Sequence, residues 1–414
     1  MFSKFFKFDK DATLNLGTFF MLYIAQSIPM SFFSTAIQVM MREAEFSYSS
    51  IALLQIVKLP WVLKFIWAPI IDRSCVKLSD YKRAIISSEV VYAVLLIIVG
   101  LLDTTDDFYL ILCLIFMSLV ASATQDIATD SLAMLSFKNK DKSRVNSMQS
   151  MGSFGGVIIG GGTLLIVLNK YGWNAVLHCL AGFVIIALLP LIFNRKLTIE
   201  KKEPKQRAKL TDFIWFFSRK KIWRQIGFLV LYYASTIGLL SILRPYMVDL
   251  GYTKSQIGVL FGIIGSSAAF FSSFCSGIIV RRIGIFKARI TFAAFSLLTA
   301  LYFYGISWFA TPTTILITLG IILLWISYGF STVVVYTTAM NCVREGKEGT
   351  DFTVQTVITH FSGLFMALLS GKVADNMGVH TMFGFEVFLA TLSLIYILLI
   401  FKKSDNTGTL TTKK

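Results

Sequence analysis

The chain is poor in charge: 15% of its 414 residues are Asp, Glu, Lys or Arg, against about 25% in a soluble globular chain. That composition excludes a disordered segment, a collagen and an ordinary cytosolic enzyme. Cysteine is sparse. The five (Cys75, Cys113, Cys179, Cys275, Cys342) make no CxxC pair and show no metal-site spacing, so a disulfide scaffold is excluded as well. The three histidines (His178, His360, His380) lie far apart in sequence, which argues against a zinc or haem site built from local ligands. No GxxxxGK[ST] loop is present, so the chain carries no nucleotide motor of its own. No cofactor and no metal are expected.

What is abundant is apolar surface. The sequence is 55% hydrophobic with a mean hydropathy of +0.70, and runs long enough to cross a bilayer recur along it. Twelve spans are predicted, over residues 14–41, 51–71, 84–102, 108–136, 147–168, 173–193, 222–247, 255–280, 290–309, 313–341, 351–371 and 381–401. Backbone amides cannot stay unpaired in hydrocarbon, so each run must be helical. A barrel would show ten-residue alternating segments instead. The first span follows Lys4, Lys7 and Lys10, but it is too long for a signal peptide and no small-residue cleavage site follows it. It is read as a retained helix.

The net charge of +16 sorts by side of the membrane. Thirty-two of the 39 Lys and Arg residues fall in the tails and in every second connection, whereas the opposite side holds only Arg42, Lys170, Lys254 and Lys372. The asymmetry places both termini and the basic loops in the cytoplasm. It also accounts for most of the charge without a nucleic-acid partner. The remaining three cations, Lys58, Lys64 and Arg244, lie within spans. The longest polar connection divides the spans six and six. It gives an N-terminal six-helix bundle over 1–193, a flexible basic cytoplasmic linker over 194–221, a C-terminal bundle over 222–401 and a tail over 402–414. The halves resemble each other. Ala68-Pro-Ile-Ile-Asp72-Arg73 corresponds to Gly277-Ile-Ile-Val-Arg281-Arg282-Ile-Gly284, and Phe46-Ser-Tyr-Ser-Ser-Ile51 to Tyr252-Thr-Lys-Ser-Gln-Ile257. Parallel repeats of this kind place a substrate site at the midplane between the halves. The expected fold is thus all-α and polytopic, with twelve transmembrane helices in two pseudo-symmetric six-helix bundles.

The 6 + 6 pattern, the central basic loop and the loop motif resemble the major facilitator superfamily, whose loop between the second and third helices reads Gly-x-x-x-Asp-Arg-x-Gly. The first half keeps Asp72 and Arg73 but has Ala68 and Cys75 at the glycine positions. The second keeps Gly277, Arg282 and Gly284 but has Arg281 for the acid. The resemblance implies a gating loop at Asp72, Arg73, Gly277 and Arg282. Leu59-Pro-Trp-Val-Leu-Lys64-Phe-Ile-Trp67-Ala-Pro69-Ile-Ile-Asp72-Arg73, Ala123-Thr-Gln125-Asp126-Ile-Ala-Thr-Asp130 and the cluster Gly160-Gly161-Gly162 are similar to the branch holding AmpG muropeptide permeases, RhtX/FptX siderophore importers and acetyl-CoA transporters. Arg244-Pro-Tyr-Met-Val-Asp-Leu-Gly251 looks closest to the siderophore group.

Ionisable groups inside a span cost at least about 2.5–3.5 kcal/mol at its centre, so they need a partner, a wet cavity or a function. Asp126 and Asp130 are four apart and share a helix face. Asp126 lies about 15 Å from the inner end of its span at 1.5 Å per residue, near the midplane. Such a pair suits a proton-coupled carrier; the structural alternative is an ion pair with a neighbouring helix, Lys64 being one candidate. Lys58 is read as a cavity cation for an anionic substrate or as a partner of Asp126, and Lys64 as a structural residue nearer the inner surface. Arg244, near an outer end, either meets entering substrate or snorkels to the interface. Gln26, Gln125 and His360 complete the substrate and proton candidates. Glu89 and Glu386, isolated near span ends, rank below them.

These residues predict a monomeric, non-enzymatic secondary transporter of the bacterial inner membrane. It would be proton-coupled and import a siderophore or similar carboxylate-bearing small molecule by alternating access. The alternative is an AmpG-like muropeptide permease for cell-wall recycling. A membrane enzyme would need a nucleophile or acid–base constellation, and no His-Asp or Ser-His grouping stands out at short spacing.

Overall fold

A computed structural model of the chain describes residues 10–43, 59–103, 106–199, 208–218, 220–309 and 312–401, and every regular element among them is helical. The first span is α1 (Lys10–Glu43). Of the second, α2 (Leu59–Leu63), a 3-10 turn (Lys64–Ile66) and α3 (Ala68–Ser74) are described. Residues 51–58, and with them Lys58, lie outside the described residues. Then come α4 (Leu78–Leu101) and α5 (Phe108–Ser136). The helix α6 (Lys142–Ile158) runs through a π turn into α7 (Leu164–Phe193).

After the linker helix α8 (Asp212–Trp215), the second half begins with α9 (Lys220–Tyr232) and α10 (Ala234–Asp249). It continues with α11 (Lys254–Gly258), a π turn, α12 (Ser266–Ile283), α13 (Ile285–Ile306), α14 (Thr314–Met340) and α15 (Glu348–Ile400).

Two stretches are far too long for one crossing: residues 142–193 number 52 and residues 348–400 number 53. Each is broken by a glycine in the left-handed region, Gly172 (φ 80°) and Gly378 (φ 83°), where a Cβ would be strained. Contacts across the breaks show the chain reversing. Trp173 Nε1 donates to the Val99 carbonyl at one end of α4, and Lys82 Nζ donates to the Leu191 carbonyl at the other. Ser370 and Glu386, eight residues either side of Gly378, are hydrogen-bonded. With these reversals, the nine long apolar helices among the described residues make eleven crossings, and residues 59–74 are the described part of one more.

The polar contacts between the halves gather at the end that carries the basic loops. The Asp72 carboxylate, at the close of α3, accepts the first amides of α15, Gly349 N (2.9 Å) and Thr350 N (2.7 Å), and the Thr350 hydroxyl (2.6 Å). A carboxylate on a helix N-terminus satisfies orphan amides and meets the positive end of the dipole. Ser143 Oγ donates to the Gly277 carbonyl at 3.0 Å, Lys142 Nζ to the Met340 carbonyl at 3.0 Å, and Arg281 Nε lies 2.8 Å from Asp141 Oδ1. Gly277 is required here: a Cβ would come within 2.8 Å of the Ser143 carbonyl. Arg73 and Arg282 are both exposed. So of the four expected gating residues, Asp72 and Gly277 sit in the seal. The cation that bridges it on the second copy is Arg281, which stands in the acid's position and finds its own acid in Asp141.

Within the linker, the described residues 208–218 are held by polar contacts. Asp212 of α8 is 2% exposed; its Oδ1 accepts Lys347 Nζ at 2.5 Å and its Oδ2 the Lys209 amide at 2.6 Å. Arg344 forks onto Asp351 (2.5–3.0 Å) and donates to the Asp212 carbonyl at 2.9 Å. Asp212, the one acid among residues 208–218, thereby pins that segment to the loop that leads into α15. Burial pushes the Asp212 carboxyl up, but hydrogen bonds from Lys347 and Lys209 and the charges of Lys347 and Arg344 outweigh it and hold it below the usual carboxylate range.

Asp72→Asn, which removes the charge but keeps the shape, is expected to weaken the seal. Dipolar spectroscopy between spin labels at the exposed Lys140 and Lys287 checks this, and an unchanged distance distribution would count against it. The lowered Asp212 value fixes a sign. Its contribution is full above the ordinary carboxylate range and fades only as pH drops through the depressed value. Amide exchange over residues 209–215 should therefore hold steady, after correction for intrinsic rates, from neutral to mildly acidic buffer. In Asp212→Asn it should rise already at neutral pH, and equal protection in the variant refutes the latch.

Candidate functional site

The site is built where α1 and α5 run antiparallel. Tyr23 and Gln26 are three residues apart on one, Asp130 and Asp126 four apart on the other, so two pairs face each other in register. Gln26 Nε2 donates to Asp126 Oδ1 at 2.8 Å, and Tyr23 Oη to Asp130 Oδ1 at 2.8 Å. Gln149 of α6 adds a second donor to Asp130 at 3.1 Å. A row of glycines lets α6 come this close. A Cβ on Gly152 would lie 2.8 Å from the Tyr23 Cβ, and Gly156 and Gly160 repeat the close approach against Ser27 and Ile28.

Asp126 is 1% exposed, and its second oxygen is ion-paired and hydrogen-bonded to Lys64. Lys64 is 5% exposed and stands over the Trp61 ring, 4.8 Å from its centroid. The sequence reading placed Lys64 near the surface because the apolar run ends at Ile71. The helix continues to Ser74, which sets Lys64 ten residues from its end, about 15 Å deep. Asp126 lies equally deep, ten residues before Ser136. Two opposite charges at one depth in a low-dielectric interior attract strongly and spare each other an unpaired burial. Of the alternatives left open for Asp126, the ion pair with Lys64 is what the fold contains.

The other candidates divide. His360 of α15 is exposed; its ring nitrogen lies 3.4 Å from the Thr356 carbonyl, and it feels the charges of both Lys64 and Asp126. It thus brings the second half to the site. Gln125 is buried but turns back on its own helix, donating to Thr129 Oγ1 at 2.9 Å. Arg244 is exposed and lies 5.0 Å from the Phe261 ring on the neighbouring π turn; it makes no polar contact with Asp126. Tyr23 was missed by sequence reasoning, although its spacing from Gln26 matches the aspartate pair. Gln149 was likewise not singled out. A cavity of about 360 Å³ beside Tyr304, Met377 and His380 holds none of these residues.

Removing one partner of a buried ion pair costs about 3–5 kcal/mol, because the other charge stays behind. Lys64→Gln and Asp126→Asn are each expected to lower the unfolding midpoint in detergent, and the double variant to be more stable than the sum of the two losses predicts. Strict additivity would contradict the pairing.

The family model described as Major Facilitator Superfamily matches residues 17–364. The AmpG 2 protein of Rickettsia bellii is 25% identical over 350 residues, covering 82% of this chain and 84% of that protein. The anhydromuropeptide permease of Escherichia coli K12 is 21% identical over 276 residues, 66% of this chain and 56% of that protein. Among solved structures, the human organic anion transporter MFSD10 superposes with a TM-score of 0.74 at 13% identity, covering 94% of this chain and all of that one (100%). The transporter FucP in the outward conformation gives 0.68 at 16% identity, covering 94% and 98%. These superpositions establish the fold, and the family match takes in both halves and the site between them: the chain belongs to the Major Facilitator Superfamily.

Proposed function

We propose that the chain is a monomeric, proton-coupled secondary transporter of the bacterial inner membrane, and that it imports anhydromuropeptides by alternating access. The basic-loop end is the cytoplasmic side, so the seal through Asp72, Ser143, Gly277 and Arg281 closes the cytoplasmic exit and leaves the site to be loaded from outside. The observation that carries this reading is the Lys64–Asp126–Gln26 cluster, buried near mid-membrane in the N-terminal half and faced by His360 from the C-terminal half. Asp126 takes up a proton. Its charge is then gone, Lys64 loses its partner, and the ammonium is released to meet a carboxylate of the substrate. Opening the seal at the cytoplasmic end delivers both.

The choice of substrate rests on the relatives, two of which carry AmpG or anhydromuropeptide permease names. The siderophore reading rested on the segment from Arg244 to Gly251. Arg244 stacks on Phe261 and stands apart from the ion pair, and neither relative named above carries a siderophore name. Muropeptide import is therefore preferred.

Proteoliposomes with an inward proton gradient are expected to concentrate labelled anhydromuropeptide, and a protonophore to abolish the concentration. Asp126→Asn should cut driven uptake at least about tenfold, the equivalent of 1.4 kcal/mol, while substrate exchange without a gradient persists. Concentration that survives the protonophore overturns the coupling. Uptake of an iron–siderophore complex in place of the muropeptide overturns the substrate class.

A further inference from the structure

The strongest unexplained group in the molecule is Glu89. Its helix begins at Leu78, so Glu89 lies eleven residues inside it, about 16 Å from the end and close to the depth of Asp126. The residue is 0% exposed, and both carboxyl oxygens lack a hydrogen-bond partner. Beside it are Tyr92, one turn on, and Ser122 of α5, whose buried hydroxyls lie against each other. Ser122 is four residues before Asp126, about 6 Å along the same helix.

The charged groups on the packed elements are all elsewhere. Lys82, on the same helix, is seven residues away and spends its ammonium on the Leu191 and Asn194 carbonyls. His178 of α7 lies against Gly100, eleven residues in the other direction. Asp126 and Asp130 of α5 are turned to Lys64, Gln26, Tyr23 and Gln149. Glu386, also buried within a span, differs, because one of its oxygens accepts the Ser370 hydroxyl at 2.5 Å.

An ionised carboxylate without donor or counter-charge is the least tolerable group in a membrane interior, whereas the neutral acid is tolerable. We propose that Glu89 is a second proton site of the transporter. In this conformation it holds one proton as COOH, in the pocket shared with Tyr92 and Ser122 that abuts the Asp126 turn of α5. The chemistry is the addition of one proton to one carboxylate, with no other reactant. The proposal rests on the proton-coupled reading for its role in transport, but the site itself is tested without any substrate.

The test is infrared spectroscopy of the full chain in liposomes at neutral pH, with glutamate alone labelled with carbon-13. A neutral carboxyl gives a carbonyl stretch that moves down with the isotope, and a carbonyl without a hydrogen-bond donor absorbs above one that accepts a bond. The expected spectrum has an isotope-sensitive upper component that disappears in Glu89→Gln. The lower component, from Glu386, should disappear in Glu386→Gln, and both should survive in Asp126→Asn. If Glu89→Gln does not insert, Glu89→Asp keeps the acid but strips the upper component of its glutamate isotope shift. Absence of the upper component from the unmodified protein, or its survival in Glu89→Gln, overturns the site. Failure of muropeptide uptake in proteoliposomes leaves this spectrum unchanged and bears only on the function proposed above.

Discussion

The arrangement around the membrane centre depends on one ion pair. Lys64 and Asp126 are each buried to a few per cent, and neither is tolerable there alone. Bringing them together fixes α2 against α5. The remaining oxygen of Asp126 then draws in Gln26 and so fixes α1. Tyr23 and Gln149 do the same for Asp130 one turn away, which ties α6 into the same bundle. A polar seam through four helices specifies their register more sharply than apolar packing, since sliding by one residue breaks several hydrogen bonds at once.

Around this seam the two halves meet asymmetrically along the membrane normal. Aromatic contacts such as Phe154 on Tyr328 (5.4 Å between centroids) and Phe20 on Phe270 (6.4 Å) link them near the middle, and a hydrogen-bonded layer closes the basic-loop end. The linker adds a tie of its own, because Asp212 clasps the loop whose next residues receive Asp72. Domain seal and covalent connection therefore converge on the start of α15.

Much of this was legible in the sequence. Apolar length alone gives the spans, because lipid leaves the backbone no alternative to helix. Even the reversals near Gly172 and Gly378 fall between predicted segments. Asp126, Asp130, Gln26 and Asp72 stand out because charge and amide are rare in such runs. Depth was misjudged where helices outrun their apolar stretch. Ser74 ends the helix that carries Lys64 and Leu78 begins the one that carries Glu89, and both residues lie deeper than hydropathy implies. Partner choice is three-dimensional and was not available. Nothing in the spacing tells that Gln125 folds back on Thr129 while Gln26 crosses to Asp126, or that Arg281 meets Asp141.

The two copies of the loop motif close the same end by different physics. Asp72 is 9% exposed and holds backbone amides, so dissolved ions reach it poorly. Arg281 is exposed and Asp141 half-buried, with side chains 47% and 28% exposed, so mobile ions, which screen over about 8 Å at physiological ionic strength, reach this pair more readily. One clasp is thus indifferent to the saltiness of its surroundings and the other slackens with it. A rise in ionic strength at that end would loosen the protein on one flank only, tilting the halves rather than parting them evenly.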